Sequence, residues 1–210
     1  VDKLLERLKL TRANLLYTGG GHAYLLIANT DKTKTIIKDF ISELKQWFLS
    51  EFTTDLSLSI AYEACSGDDL MNSNGNYKSI WRNVSNKLSD SKAHKYSYED
   101  ILLLNSHSSF GDRECKECLR SDIEINDDGL CSICEGIISI SNDLRDKAFF
   151  VLSDNGKLKM PFNKYISVIS YQEAENLVNR DDSVRIYSKN KPFVGEGIAT
   201  NLWMCDYDYA

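Results

Sequence analysis

Three consecutive glycines, Gly19 to Gly21, constrain the fold of this chain more than any other stretch. They lie between two apolar runs, residues 15–16 and 23–28. Glycine adopts positive φ without steric cost, so a short glycine turn between apolar runs predicts a β-hairpin. The flanks are almost continuously hydrophobic rather than alternating. This pattern predicts two central strands, covered on both faces, in the middle of a sheet.

The elements around this hairpin suggest a known order. A short amphipathic helix is predicted over 2–10, and a helix of about five turns follows an N-cap sequence at 29–31. Residues 56–63 alternate apolar and small polar side chains, which predicts a strand. The order α-β-β-α-β is that of a ferredoxin-like unit without its first strand. We expect that strand just before Val1, and we expect the sheet to have an open edge without it.

The rest of the chain has a different pattern. One more amphipathic helix is predicted over 77–88, and a β-rich region then begins at Phe149. Its predicted strands are 149–152, 158–160, 166–169 and 184–187, with a short helix over 173–178 and a closing segment at 202–204. The fold class is therefore α+β.

Composition and charge argue against a membrane-spanning chain and show an uneven distribution of charge. The 210 residues carry a net charge of −6, and no apolar run approaches the ~20 residues that span a bilayer. Residues 76–95 hold five cations against one acid, whereas residues 96–146 hold four cations against twelve acids. A solvated helix face is the simpler interpretation of the basic stretch, and contact with phosphate is the alternative.

Two CxxC pairs give the strongest chemical pattern. Twelve residues separate the first pair from the second, and the four cysteines are Cys115, Cys118, Cys131 and Cys134. Paired thiolates at this spacing predict a tetrahedral zinc site. Two disulfides or four free thiols are the alternatives. Four protein ligands leave no position for a catalytic water, so the predicted role is structural.

Other cysteine chemistry is less well supported by the sequence. Thioredoxin-like redox chemistry needs a CxxC that opens a helix after a strand, and neither pair is expected there. Cys65 and Cys205 are isolated and are interpreted as ordinary buried cysteines.

Two further motifs have competing interpretations. Asp68 and Asp69 after Gly67 are similar to the metal-binding turn of palm polymerases and cyclases, but no strand pattern follows them. Ser66 with Asp69 is at least as good a helix N-terminus. His22 at the hairpin tip is interpreted as structural or as a phosphate contact. The backbone N–H groups of the three glycines are candidates for phosphate contact as well.

Together these stretches resemble the large subunit of type III-A CRISPR effector complexes, of the staphylococcal kind. The resemblance runs along the whole chain. It is carried by residues 15–25, 66–70, 80–82, the two CxxC pairs and 201–204.

The resemblance implies a division of the chain and a set of partners. Residues 1–110 would form a first, non-catalytic palm domain, 111–147 a zinc element and 148–210 a β-rich linker domain. Gly19, Gly20, Gly21 and His22 would help to bind ATP opposite a second palm of the same protein. Other subunits of the complex, crRNA and target RNA are the implied partners, in the cytoplasm and away from membranes.

The same resemblance implies that catalysis lies elsewhere. Family members cleave single-stranded DNA with an HD domain and join ATP into cyclic oligoadenylates at a Gly-Gly-Asp-Asp turn, with Mg²⁺ or Mn²⁺. This chain has neither an HD pair nor that turn. Without those acids two-metal phosphoryl transfer has no cation site, so no catalytic residue is expected here.

Overall fold

The computed structural model describes residues 1–106, 113–178, 184–189 and 199–202. The chain divides into two compact units, Val1–Ser106 and His107–Ala210. None of the described helices combines the length and the hydropathy needed to cross a bilayer.

Helices dominate the first unit. Its elements are α1 (Asp2–Arg7), a 3₁₀ turn (Arg12–Asn14), β1 (Leu15–Gly19), β2 (His22–Leu25), α2 (Asp31–Phe52), the one-turn helix α3 (Gly67–Leu70), α4 (Tyr77–Ala93) and α5 (Tyr98–Asn105). Thr30 caps α2 by accepting a hydrogen bond from the Thr33 N–H, which confirms the predicted cap.

The core of this unit lies along α2. Ile37, Phe40 and Leu44 recur at helical spacing on its buried face. They are buried together with Leu49 and with Leu4 and Leu5 of α1, so the amphipathic pattern was read correctly. Farther along α2, the Trp47 ring contacts Phe48 and Phe52 edge to face, at 5.0 and 5.4 Å between centroids.

The hairpin forms as predicted, but its place in a larger sheet was predicted wrongly. β1 and β2 make a two-stranded antiparallel sheet with Gly19 opposite His22. Leu16 and Tyr17 are 53% and 55% exposed, so the strands are not covered on both faces. Continuous apolar character predicts burial only when neighbouring strands and layers are present to provide it.

The predicted strand at 56–63 is also wrong. Residues 56–63 have no assigned secondary structure, and their backbone pairs with no other described backbone segment. Leu56, Leu58 and Tyr62 are about half exposed. The alternating pattern is real, but a strand requires a partner for its N–H and C=O groups. The sequence interpretation also missed helix α5, whose Ser97–Asp100 capping box is clear in the structure.

The second unit contains a mixed sheet. Its elements are α6 (Ser132–Asp143), β3 (Phe149–Ser153), β4 (Leu158–Met160), β5 (Lys164–Ile169), α7 (Tyr171–Val178), β6 (Arg185–Lys189) and β7 (Ala199–Leu202). The strand order is β4-β5-β3-β6-β7, antiparallel except for the parallel pair β6–β7. The predicted strands and the short helix are confirmed. Of the predicted closing segment, Leu202 ends β7, while Trp203 and Met204 lie outside the described residues, as does Cys205.

The buried centre of this unit is small and continuous. Phe149, Val151, Ala174 and Ile186 form it, from β3, α7 and β6. Helix α6 packs against β4 and β5. Gly136 makes this approach possible, because a Cβ there would lie 2.6 Å from the Lys157 carbonyl oxygen.

Candidate metal centre and glycine hairpin

The four predicted cysteines converge on one point of the second unit. Their Sγ atoms all lie within 4.8 Å of one another. Cys115 and Cys131 are buried, Cys134 is half-buried and Cys118 is exposed. Two CxxC pairs with twelve residues between them are therefore brought together as the spacing predicted.

Backbone hydrogen bonds hold both knuckles in place. The first is a tight turn, in which the Leu119 N–H donates to the Cys115 carbonyl and the Cys115 N–H donates to the Arg120 carbonyl, both at 2.9 Å. A bridge between Ile125 and Cys131 aligns the second knuckle. Cys131 is the N-cap of α6, since its Sγ accepts from the Cys134 N–H at 3.4 Å.

The loop between the knuckles folds back on the first one. The Lys116 N–H donates to the Gly129 carbonyl at 2.9 Å, and the Lys116 ammonium donates to the Asp128 carbonyl at 2.7 Å. Gly129 has φ of +80°, and a Cβ there would collide with the Lys116 side chain. Beside the centre, the Arg120 guanidinium forms a two-bond pair with the Asp122 carboxylate.

The electrostatics of the cluster favour a bound cation. Burial works against ionisation of Cys115, but N–H groups of Cys118, Cys131 and Glu117 directed at its Sγ lower its pKa to about 6. Burial, with hydrogen bonds among the neighbouring thiols, raises the pKa of Cys118 and Cys134 above the ordinary range. Four thiolates this close repel one another, and a divalent cation would relieve that repulsion.

The geometry fits a tetrahedral metal. A zinc ion with Zn–S bonds of ~2.3 Å places its sulfur ligands roughly 3.8 Å apart. The Sγ atoms of Cys118 and Cys131 are 3.8 Å apart. No disulfide joins the cysteines of the described residues, and Cys65 is half-buried and separate from the cluster.

The expectation about a thioredoxin-like site is correct only in part. The second CxxC pair does open a helix, because Cys131 is the N-cap of α6, but no strand precedes that helix among the described residues from 113 onward. A thioredoxin-like dithiol is also disfavoured by the cluster, because the Sγ atoms of the two CxxC pairs lie close enough together to bind one metal ion.

The glycine hairpin presents an exposed tip without acids. Gly20 and Gly21 have φ of +56° and +77°, and no atom lies within 4 Å of where either Cβ would be. Two central residues with positive φ are typical of a type I′ turn. The Tyr17 ring folds over Gly19, where a Cβ would lie 2.7 Å from the phenolic oxygen. His22 is exposed at the end of the turn.

Asp69 has a structural role in the described region. A capping box joins Ser66 and Asp69 at the start of α3, which confirms that interpretation. One Asp69 oxygen accepts from the Ser66 N–H and hydroxyl, and the other accepts from the Asn74 and Asn76 side chains. These bonds, the Ser66 N–H first, hold the Asp69 pKa well below its usual range. Asp68 and Asp69 lie inside α3 rather than in a turn between two strands, so the polymerase-like turn is absent there.

An aromatic row connects the hairpin to α4, and the sequence interpretation missed it. Ring centroids are 6.1 Å apart for Tyr17–Tyr24, 5.1 Å for Tyr24–Trp81 and 6.0 Å for Tyr77–Trp81. Tyr17 and Tyr24 of the hairpin are more than 50 positions away from Tyr77 and Trp81 of α4 in the chain. In the sequence, the signal that could have indicated this row is the pair of aromatic residues that flank the hairpin turn.

Comparison with known proteins identifies the family. The family model of the Csm1 subunit domain B matches residues 1–107. The Cas10/Csm1 single-strand-specific deoxyribonuclease of the subtype III-A CRISPR system from Enterococcus italicus is 59% identical over all 210 residues. Its namesake from Mycobacterium tuberculosis is 33% identical over 99% of this chain. The chain spans 28% of the length of each of these relatives.

Solved structures share the fold. A Csm1–Csm4 subcomplex of the type III-A interference complex matches 97% of this chain and 25% of that chain, with a TM-score of 0.69 and 19% identity. A Csm1–Csm4 cassette in complex with one ATP matches with a TM-score of 0.68, 19% identity and the same coverage. A third, in complex with cA3, covers 99% of this chain and 25% of that chain, with a TM-score of 0.63 and 18% identity. The chain therefore belongs to the Cas10/Csm1 family of subtype III-A CRISPR systems.

Proposed function

We propose that this chain forms the non-catalytic palm, the structural zinc element and the linker domain of a type III-A effector large subunit. The longer protein would make cyclic oligoadenylates from ATP and cleave single-stranded DNA after target-RNA binding. Its partners would be the other effector subunits, crRNA and target RNA. The observation that carries the proposal is the hairpin tip, which is open, rich in glycine and free of carboxylates.

The hairpin would position ATP rather than react with it. Exposed N–H groups of a glycine turn can approach phosphate oxygens closely, and His22 adds a side-chain donor beside them. The metal ions, Mg²⁺ or Mn²⁺, would be held by the acids of a second palm facing this one. Gly19, Gly20, Gly21 and His22 would therefore contribute to binding of ATP and not to the chemical step.

The test is a kinetic comparison in the longer protein. His22→Ala should raise the KM for ATP about tenfold, the loss of roughly one charge-assisted hydrogen bond, with little change in kcat. His94→Ala is the matched control, because that ring is exposed and, within the described part of the chain, bonds only at the Asp90 carbonyl of the preceding helix. An unchanged KM for His22→Ala would contradict the positioning role.

The palm would be a ferredoxin-like unit whose first strand is not among these residues. A groove runs along α2, with cavities of about 300 and 170 Å³ that share Ile41 as a lining residue. Its other wall includes residues 56–60, whose backbone is unpaired within the described chain. A strand laid in this groove would pair with that segment and cover the half-buried Ile41.

The four cysteines would hold zinc as a structural ion. They supply a complete sulfur ligand set, so zinc there would add folding free energy rather than activate water. Metal analysis of the purified chain should find one zinc per molecule, and Cys65→Ser, outside the cluster, should retain it. A metal-free protein with four titratable thiols would contradict this assignment.

A separate experiment distinguishes this function from an autonomous cyclase. Incubation of the purified chain with ATP and Mn²⁺ should yield no cyclic or linear oligoadenylate. A product that Asp69→Ala removes would contradict the proposal, because Asp69 would then bind a metal in addition to capping α3.

A further inference from the structure

Helix α4 carries an ordered polar stripe on its exposed face. Lys78, Arg82, Ser85, Ser89 and Lys92 recur at alternating intervals of four and three residues. This interval keeps them on one side of a helix, and all five are exposed. We call this set the basic stripe. It extends ~21 Å along the helix axis at 1.5 Å per residue.

The charges of the stripe are not neutralised within the described part of the chain. Lys87, which lies off the stripe, pairs with Glu63, and Lys95 lies over the Tyr96 ring. Lys78, Arg82 and Lys92 have no such partner among the described residues. The acid of this helix, Asp90, lies about 120° around the axis from the centre of the stripe.

The composition of the stripe fits phosphate better than a protein surface. Lys, Arg and Ser side chains are frequent donors to the phosphates of nucleic acids. Lysine and serine are depleted at protein–protein interfaces, where aromatic residues, methionine and arginine are enriched, so four of the five stripe residues are of depleted types and only Arg82 is of an enriched type. The stripe contains no apolar anchor, so a protein partner would have little to bury there.

The aromatic row lies along one border of this stripe. Trp81 is about 40° from Ser85 around α4, and Tyr77 precedes Lys78 directly. The ends of the row, Tyr17 and Tyr77, are 55% and 42% exposed. Surfaces that bind single-stranded nucleic acid combine a basic track for the backbone with aromatic side chains on which bases stack. A duplex would offer no free base for these rings.

We propose that the basic stripe of α4 and the aromatic row form a binding surface for single-stranded nucleic acid, without sequence preference. Phosphates bind Lys78, Arg82 and Lys92, with the Ser85 and Ser89 hydroxyls as further donors. Bases stack on the exposed ends of the row, at Tyr17 and Tyr77. This surface extends beyond the proposed positioning of ATP, which needs neither α4 nor a polymer.

The test measures, by fluorescence anisotropy, how tightly this chain binds fluorescein-labelled 15-nucleotide strands. RNA and DNA of the same mixed sequence are the two separate arms. Three phosphate contacts on a single strand should weaken binding about 20-fold between 50 and 200 mM KCl. Lys78→Gln with Arg82→Gln should reduce the slope of log K against log salt by about 1.4. The matched control is Lys32→Gln with Lys38→Gln, an exposed pair on α2, which should leave the slope unchanged.

A second pair of variants tests the stacking. Tyr17→Leu and Tyr77→Leu should each weaken single-strand binding about tenfold, while Tyr98→Leu, a 70% exposed tyrosine of α5, should not. Tight binding in either the RNA or the DNA arm supports the proposal, and the arms identify which strand is preferred. Equal slopes for the stripe and control pairs would overturn it. Binding of a duplex as tight as that of a strand, with no effect of the tyrosine variants, would overturn it as well.

Discussion

The cysteine centre and the glycine hairpin differ in how much of each site this chain supplies. All four ligands of the centre, the turns that aim them and the helix that Cys131 caps lie within 30 residues. The hairpin has a well-formed turn, but its sheet has two strands and its tip carries no acid. The first site has its whole set of candidate ligands in this chain, whereas the second would require further elements to act as the proposed palm.

The physical reason is the range over which each site is organised. A metal centre is built by local turns, and its binding free energy can replace a large core. A sheet is built by pairing strands that are distant in the sequence, and in the proposed palm one further strand would cover the groove along α2 and pair with residues 56–60. Four predictions follow from this difference, in order of expected effect.

Removal of the metal should have the largest effect. Cys131→Ser takes away a metal ligand but leaves a residue that can cap α6, since serine is itself a favoured N-cap; structural zinc contributes on the order of 10 kcal/mol in small domains. The variant should lose its zinc and the ordered structure of residues 113–143, measured by metal content and circular dichroism. Cys65→Ser should behave as wild type. A zinc-free variant with an unchanged melting temperature would show that the centre is not structural.

Pairing with a further strand should protect the amides of residues 56–62 from hydrogen exchange. In the isolated chain, the amides of residues 56–62 should exchange with solvent almost freely, because they donate to no described backbone acceptor. In the longer protein they should exchange at least 100-fold more slowly once a strand pairs with them. Hydrogen exchange read by mass spectrometry makes this comparison. Equal exchange in the two proteins would remove the support for a missing strand.

A methyl group added at Gly136 should weaken the packing of α6 against the sheet. Gly136→Ala places a Cβ against the backbone of Lys157, which cannot move aside, and should cost about 2 kcal/mol of unfolding free energy. The control is Gly67→Ala in α3, where no atom lies within 4 Å of the new Cβ. Chemical denaturation measures both. Equal stabilities would mean that α6 does not pack on β4 as described.

The smallest expected effect concerns Asp100 and pH. Burial disfavours its charge, but hydrogen bonds from Lys45 and from Ser97 outweigh this and lower its pKa. Asp100→Asn should therefore cost about 1.5 kcal/mol at neutral pH.

The pH dependence of that cost has a defined sign. Because the folded pKa is lowered, the stabilisation is complete above the ordinary aspartate value of about 4 and is lost as pH falls through the folded pKa. The difference between wild type and variant in urea denaturation should shrink as the pH falls below about 4. A constant difference would contradict the ion pair.

The sequence predicted those features that depend on local pattern. The hairpin turn, the buried face of α2, the Ser66–Asp69 cap and the cysteine cluster all follow from short-range spacing. It failed where the outcome depends on distant partners. Residues 56–63 alternate like a strand but have no strand to pair with among the residues that the structure describes, and the aromatic row joins residues far apart in the chain. The Cys131 cap of α6 was missed because the helix begins inside the metal motif itself.

Native mass spectrometry of the purified chain with zinc, ATP and Mn²⁺ tests the difference between the two sites most directly. We expect one tightly bound zinc per molecule, retained through Cys115, Cys118, Cys131 and Cys134, and no mass that corresponds to an oligoadenylate. A folded chain without zinc, or one that converts ATP to oligoadenylate by itself, would contradict this expectation.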